Sequence, residues 1–127
     1  MATGTQGTSA RQYHQHQVHY LRADFTFACT TAVPISLGFL PAGAFILAPL
    51  SGVYVHIAFT AGTNKLVDVG TPDNDDLYGT NLTLASIGFV PLDETTVTFK
   101  VTTATEITCT PDHTGTTDTA GSCSVII

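Results

Sequence analysis

Apolar and polar residues alternate along most of this chain in short runs, many of them closed by glycine, proline, asparagine or aspartate. The clearest run is Ser51 to Thr60, where Val53, Val55, Ile57 and Phe59 fall on one face and Tyr54, His56, Ala58 and Thr60 on the other. A period of two is the mark of a strand with one buried face. Leu21, Ala23, Phe25 and Phe27 alternate in the same way with Tyr20, Arg22, Asp24 and Thr26, as do Ile35, Leu37 and Phe39, and Val97, Phe99 and Val101 within Thr96 to Thr102. Further strands are expected over Ala44 to Ala48, Lys65 to Gly70, Glu106 to Thr110 and Cys123 to Ile127. Turn chemistry separates them. Pro41 fixes φ and Gly43 admits positive φ in Leu40-Pro41-Ala42-Gly43, while Pro49 to Gly52 and Ala61-Gly62-Thr63-Asn64 make two more reversals. The stretch Gly70 to Gly79 is a polar surface loop, and Pro111 to Gly121 is expected to be another. Asn81 to Ile87 reads two ways: Asn81 caps a short helix carrying Leu84 and Ile87, or Leu82 and Leu84 alternate in a strand, with Gly88 and Pro91 ending it either way.

Roughly eight or nine short strands at the ~8 to 12 residue spacing of sandwiches and barrels predict an all-β, mostly antiparallel β-sandwich. A chain of 127 residues is one domain's worth. Met1 to Ala10 is Gly, Thr, Ser and Ala without periodicity, and Arg11 to His19 is polar and aromatic. Residues 1–19 are therefore expected to form an extended N-terminal arm, disordered alone and ordered against a partner, and residues 20–127 the sandwich domain.

Charge narrows the function. Four Lys plus Arg stand against ten Asp plus Glu, a net charge of −6, so no basic stripe is present to meet nucleic-acid phosphates. Only 11% of residues are charged against 43% hydrophobic, which predicts a packed core under an unusually neutral, hydroxyl-rich surface. Met1 to Gln17 lacks the apolar region of a secretory signal, and Val33 to Leu50 is interrupted by three prolines, so the expectation is a protein kept in the cytosol and no membrane contact.

The candidate chemistry is sparse. His14, His16 and His19 lie close together but lack a Cys or acidic partner to complete a metal set. Asp73, Asn74, Asp75 and Asp76 are hard oxygen ligands, yet Leu77 and a late Gly79 break the EF-hand pattern, and a solvated turn accounts for them. His56 with Cys29 or an Asp would be needed for a hydrolytic dyad, but no nucleophile elbow or phosphate loop accompanies them, and His56 reads as a surface or interface histidine. Cys29, Cys109 and Cys123 read as buried small hydrophobes, with pairing of Cys109 and Cys123 left open in an oxidising medium. The chain has four tyrosines and no tryptophan, which weakens a sugar-binding platform. The expectation is no enzyme, no cofactor and no metal.

Several short motifs carry a resemblance. Arg11-Gln12-Tyr13-His14, Val18-His19-Tyr20, Leu40-Pro41-Ala42-Gly43-Ala44, Ser51-Gly52-Val53 through Ala58-Phe59-Thr60, Val69-Gly70-Thr71 with its acidic loop, and Thr119-Ala120-Gly121-Ser122 together resemble small tailed-bacteriophage virion proteins of the capsid cement or head decoration type. The resemblance implies a jelly-roll-like sandwich on the exterior of a virion assembled in the bacterial cytoplasm. It further implies contacts to the major capsid protein and to itself, as a dimer or trimer. Arg11, Tyr13, His14, His16 and Tyr20 of the arm, and Asp73, Asp75, Asp76 and Tyr78 of the acidic loop, are the expected contact residues. The alternative is a receptor- or glycan-binding module of a head fibre or tail, for which an exposed aromatic groove would speak.

Overall fold

The computed structural model describes residues 18–60, 62–114 and 118–127. Among them the chain forms eight strands: β1 (Arg22–Thr26), β2 (Ile35–Leu40), β3 (Gly52–Ile57), β4 (Asn64–Gly70), β5 (Gly79–Thr83), β6 (Gly88–Pro91), β7 (Thr105–Thr114) and β8 (Ser122–Ile126). One short 3-10 turn, Ala48–Leu50, precedes β3. The strands make two four-stranded sheets, ordered β1-β8-β3-β6 and β2-β7-β4-β5, with every pairing antiparallel. The pairs β1·β8, β2·β7, β3·β6 and β4·β5 are nested hairpins, each inside the last. Contacts of β8 with β3 and of β7 with β4 join the nested pairs into sheets.

One core fills the space between the sheets. Val53, Val55, Cys123 and Val125 from the first sheet and Val67, Val69, Ile107 and Cys109 from the second are fully buried in a single cluster. These are β-branched or small residues at alternate positions, the side chains that suit a pleated surface buried on one side. The apolar C-terminal stretch lies in the middle of its sheet, between β1 and β3, and the backbone pair Leu21–Ile127 extends the ladder beyond β1, with N···O distances of 2.7 and 3.0 Å.

Two bulges redirect side chains that simple alternation sends inward. The register of β3 against β8 shifts between Val55 and Ile57, so Ile57 is 53% exposed while Val55 and Phe59 remain in the core. The register of β2 against β7 shifts between Ser36 and Gly38, burying Leu37 and turning Phe39 outward.

Other departures concern sheet membership. Thr96 to Thr102 is not a sheet strand: it is an extended segment held against 43–46 by Gly43 N to Val101 O at 2.6 Å, Val101 N to Ala44 O at 2.8 Å and Ile46 N to Phe99 O at 2.8 Å. The same backbone bonds are all that remains of the strand expected over Ala44 to Ala48. Gly88 to Pro91, expected to end an element, is itself the edge strand β6, and Pro91 stands at its last position, where a missing N–H is tolerated. Of the two readings of Asn81 to Ile87, the strand prevails, with Leu82 and Leu84 buried. Finally, β7 runs on through Pro111 to Thr114, into the expected loop. The Pro111 carbonyl accepts from Ala32 beyond the end of β2, so the ring nitrogen faces the same side, where no ladder donor is required.

Gly52 marks the closest approach of two strands. A Cβ there would lie 2.2 Å from the Val90 carbonyl oxygen on β6. Gly52→Ala is expected to cost about 1–3 kcal/mol in denaturant unfolding, as overpacking does. A second expectation concerns Asp68 on β4, whose Oδ1 accepts the Asn81 N–H at 2.6 Å. Desolvation pushes its carboxyl upward, opposed by that hydrogen bond, and Asp75, Asp76 and Asp112 push it further. Because the folded state then holds its proton more tightly than the unfolded chain, this group's contribution to stability is lost as pH rises through the carboxylate range. Asp68→Asn keeps an acceptor for Asn81 and is expected to be more stable at neutral pH by less than about 1 kcal/mol, solvent screening a half-exposed group. The difference should shrink toward the most acid pH; a gap constant with pH contradicts the assignment.

Candidate functional site

A groove of about 620 Å³ lies at the end of the fold where β1 begins and β8 ends. The chain enters along it at Val18 to Leu21, Phe39 to Leu47 form one wall, and Leu50, Ser51, Ile126 and Ile127 complete it. The bulge in β2 and the proline-broken connection from β2 to β3 are what turn Phe39, Phe45, Leu47 and Leu50 outward while Ile46 and Ile127 stay in the core. Tyr20, Phe39 and Phe45 stand 70%, 65% and 69% exposed, and Leu50 71%. Aromatic side chains bury roughly 150–250 Å² each when covered. At such exposure the three rings and Leu50 hold apolar surface open to solvent along the groove. No Asp, Glu, Lys or Arg lines the groove, and its polar side chains are His19, Tyr20 and Ser51. Lys100 lies just outside, its Nζ 5.7 Å from the centre of the Phe45 ring.

Of the expected contact residues, Tyr20 lies in the groove. Arg11, Tyr13, His14 and His16 lie outside the described residues, while His19 is exposed on the groove rim. Asp73 and Asp75 are exposed and Asp76 is half-buried, and none of the three lines the groove. Their loop is closed by Thr71 N to Asn74 O at 2.8 Å and by Asn74 N to Thr71 Oγ1 at 3.2 Å. Tyr78, expected to be exposed with them, is instead buried, its ring stacked 6.0 Å from that of Phe99. The reason is local: Tyr78 N donates to Val69 O at 2.8 Å, which returns the chain to β4 and turns the ring toward the core. No group of three or more metal-type ligands gathers among the described residues.

His56 does not meet Cys29. Its Nε2 lies 2.8 Å from Ser124 Oγ on the outer face of the first sheet, beside the Tyr54 ring at 4.9 Å. Arg22 donates from Nη2 to the same hydroxyl at 3.2 Å and from Nε to Asp24 at 2.8 Å. Hydrogen bonding from Arg22, and then from Ser124, holds the Asp24 carboxyl below its usual range.

Cys29 meets a different histidine. Its Sγ is 3.2 Å from His113 Nε2, and His113 Nδ1 is 3.1 Å from Asp118 Oδ2. Neither His113 nor Asp118 stands out in the sequence. Both fall in what reads as a polar loop, and Cys29 and His113 are 84 residues apart; the continuation of β7 beside the segment that leads into β2 brings them together, with Ala32 N donating to Pro111 O at 2.7 Å. Cys109 and Cys123, left as possible partners, are both free and sit on the two different sheets, on β7 and β8. Burial pushes the Cys109 thiol up to about 12 and the Cys123 thiol higher still.

Comparison with protein-family models, with curated proteins and with solved structures finds no match to this chain. No helix among the described residues is long and apolar enough to cross a membrane.

Exposure and ionisation together order the three thiols. A small alkylating reagent is expected to label Cys29 alone in the native protein, with Cys109 and Cys123 reacting only on unfolding, as read by peptide mass spectrometry. Labelling of all three at equal rates under native conditions contradicts the packing.

Proposed function

We propose that the chain is a structural virion protein, a capsid cement or decoration protein that binds and cross-links major capsid subunits to stabilise a phage head. The observation that carries this reading is the groove itself, lined by no Asp, Glu, Lys or Arg and rimmed by the exposed rings of Tyr20, Phe39 and Phe45. Its occupant on this reading is an apolar segment of a capsid subunit. A groove without a single ionic side chain offers nothing to phosphates or to acidic polymers, and an apolar protein segment leaves no buried charge unpaired there. The nested pairing of the eight strands supports the jelly-roll form of the sandwich, two Greek keys wound face to face. Such a frame fixes the ends of the segments that form the groove and so limits the ordering cost of docking.

Residues 1–19 act as the arm on this reading, with Arg11, Tyr13, His14 and His16 extending the contact from Val18 at the groove rim. Contacts that are individually weak then add through repetition over the lattice. A dimer or trimer on a lattice axis supplies that repetition. The role needs no catalysis, cofactor, nucleic acid or membrane, and it belongs on the outside of the shell.

The exposed rings of Tyr20, Phe39 and Phe45 favour a second reading, a glycan-binding module of a head fibre or tail, because sugars stack on aromatic faces. Against it, the groove has few polar side chains to pair with sugar hydroxyls, and burying those hydroxyls unpaired is costly.

The test is co-sedimentation with capsids stripped of this protein. The wild-type chain is expected to bind, and Phe39→Ser combined with Leu50→Ser to weaken binding by on the order of tenfold or more without unfolding, since both side chains are largely exposed. Removal of Met1 to His19 is expected to leave a folded domain that no longer binds shells. Undiminished binding by both variants sinks the reading; binding to host polysaccharide with none to shells transfers it to the glycan module, and self-association through the groove alone makes it a homo-oligomer surface.

A further inference from the structure

We infer that Cys29, His113 and Asp118 form a thiol site for acyl transfer, with Cys29 as nucleophile, His113 as general base and Asp118 as the positioning residue behind it. The three come from separate segments: the turn after β1, the end of β7, and the stretch leading into β8. They stand in line and do not converge. Cys29 Sγ faces His113 Nε2 at 3.2 Å and Asp118 Oδ2 faces Nδ1 at 3.1 Å, so each ring nitrogen has its own partner. That arrangement suits proton transfer along the ring and is wrong for three ligands around one cation.

The surroundings hold the ring in place. The His113 and Asp118 side chains are only 9% and 5% exposed, whereas Cys29 is half-buried in a surface turn between exposed Ala28 and Thr30. The His113 amide donates to Thr31 Oγ1 at 3.2 Å, and the Phe59 ring packs 5.9 Å from the imidazole. Asp118 is anchored through its other oxygen: Oδ1 accepts Thr60 N at 2.7 Å and Thr60 Oγ1 at 2.9 Å. Oδ2 therefore points at the imidazole with no other donor aligned to it among the described residues. Its approach to Nδ1 is short but off-axis, the loose geometry common in an unliganded site. A carboxylate there keeps the proton on Nδ1 and leaves the Nε2 lone pair toward the thiol.

Desolvation pushes the Cys29 thiol upward, opposed by a backbone hydrogen bond, and Asp118 adds to the rise. The resting thiol is thus neutral, and it needs a base at the moment of attack. Nε2 takes the thiol proton as Sγ bonds to the carbonyl carbon of an ester or thioester; the bond to the leaving oxygen or sulfur breaks, and that atom takes the proton from the imidazolium. Water then adds to the thioester, losing its proton to Nε2; the S–acyl bond breaks, a carboxylic acid leaves, and Cys29 regains its proton. The net change is hydrolysis of one acyl ester by one water. Because the thiol lies in an exposed turn, the substrate class is an acyl group presented from outside, on a small activated donor or at another molecule's surface.

The other titratable groups packed toward the cluster are Cys109 on β7, Cys123 on β8 and Lys65, which pairs with His113 across the β4·β7 ladder. They define what a pH profile must be separated from. The probe is p-nitrophenyl acetate with the full chain. The expected result is a burst of one p-nitrophenolate per chain, one acetyl group on the Cys29 peptide, and a rate that climbs as an imidazole loses its proton. Cys29→Ala abolishes the burst, and His113→Gln slows acetylation by on the order of a hundredfold. In Asp118→Asn, where Oδ1 can still hold Thr60, the remaining rate follows thiol ionisation at alkaline pH, a change of profile that a purely structural role does not produce. Equal rates and profiles for wild type and His113→Gln, or acetyl groups on lysine in place of Cys29, overturn the inference. Should the variants not fold, the wild-type profile decides alone: a rate that tracks only thiol ionisation overturns it.

Discussion

The constraint on which the rest depends is the placement of β8 between β1 and β3. This strand pairs Arg22 to Thr26 with Ile126 to Ser122 on one side and Gly52 to Ile57 on the other. It places Cys123 and Val125 in the centre of the core while Ser124 meets His56 and Arg22 outside. Because β8 closes the outermost of the nested hairpins, the last residues of the chain must find the first strand before that sheet exists, a pairing of high sequence separation that carries its loop-closure entropy.

Both candidate sites sit at the ends of this pair. At one end Leu21 and Ile127 exchange backbone hydrogen bonds and floor the apolar groove. At the other, Phe27 N donates to Gly121 O at 3.0 Å, and the segments just beyond carry Cys29 and Asp118. A strand pair of five residues separates them by roughly 17 Å. The groove and the thiol cluster are thus independent in chemistry but share one mechanical support, so damage to the pair should affect both.

How much was legible follows from what alternation encodes. A period of two marks the face of a strand, and it correctly buries Phe25, Val53, Val55 and Val101. It cannot encode a bulge, because one extra residue changes the face that the next side chains of the strand take; Phe39 and Ile57 read as core and stand outside for that reason. Nor does it encode which sheet a segment joins: Thr96 to Thr102 has a buried face, yet its backbone partners lie in the connection after β2. The groove was illegible because its wall is a proline-broken apolar run that looks like core in one dimension. Tyr20 was singled out and does lie there, while Arg11, Tyr13, His14 and His16 lie outside the described residues. Cys29 meets His113 and not His56, since strand patterning offers His56 a clear face but gives no sign that β7 runs past Pro111 to deliver His113.

The account turns most on the groove as a docking surface, and amide hydrogen exchange on the free and shell-bound protein tests that directly. Free protein should protect β8 most strongly and leave Val18 to Tyr20 and Pro41 to Leu47 less protected, outside the sheets. On shells, new protection is expected at those two segments together, with the loop Asp73 to Asp76 little changed. Protection gained only at that acidic loop, or at neither wall of the groove, would contradict the account.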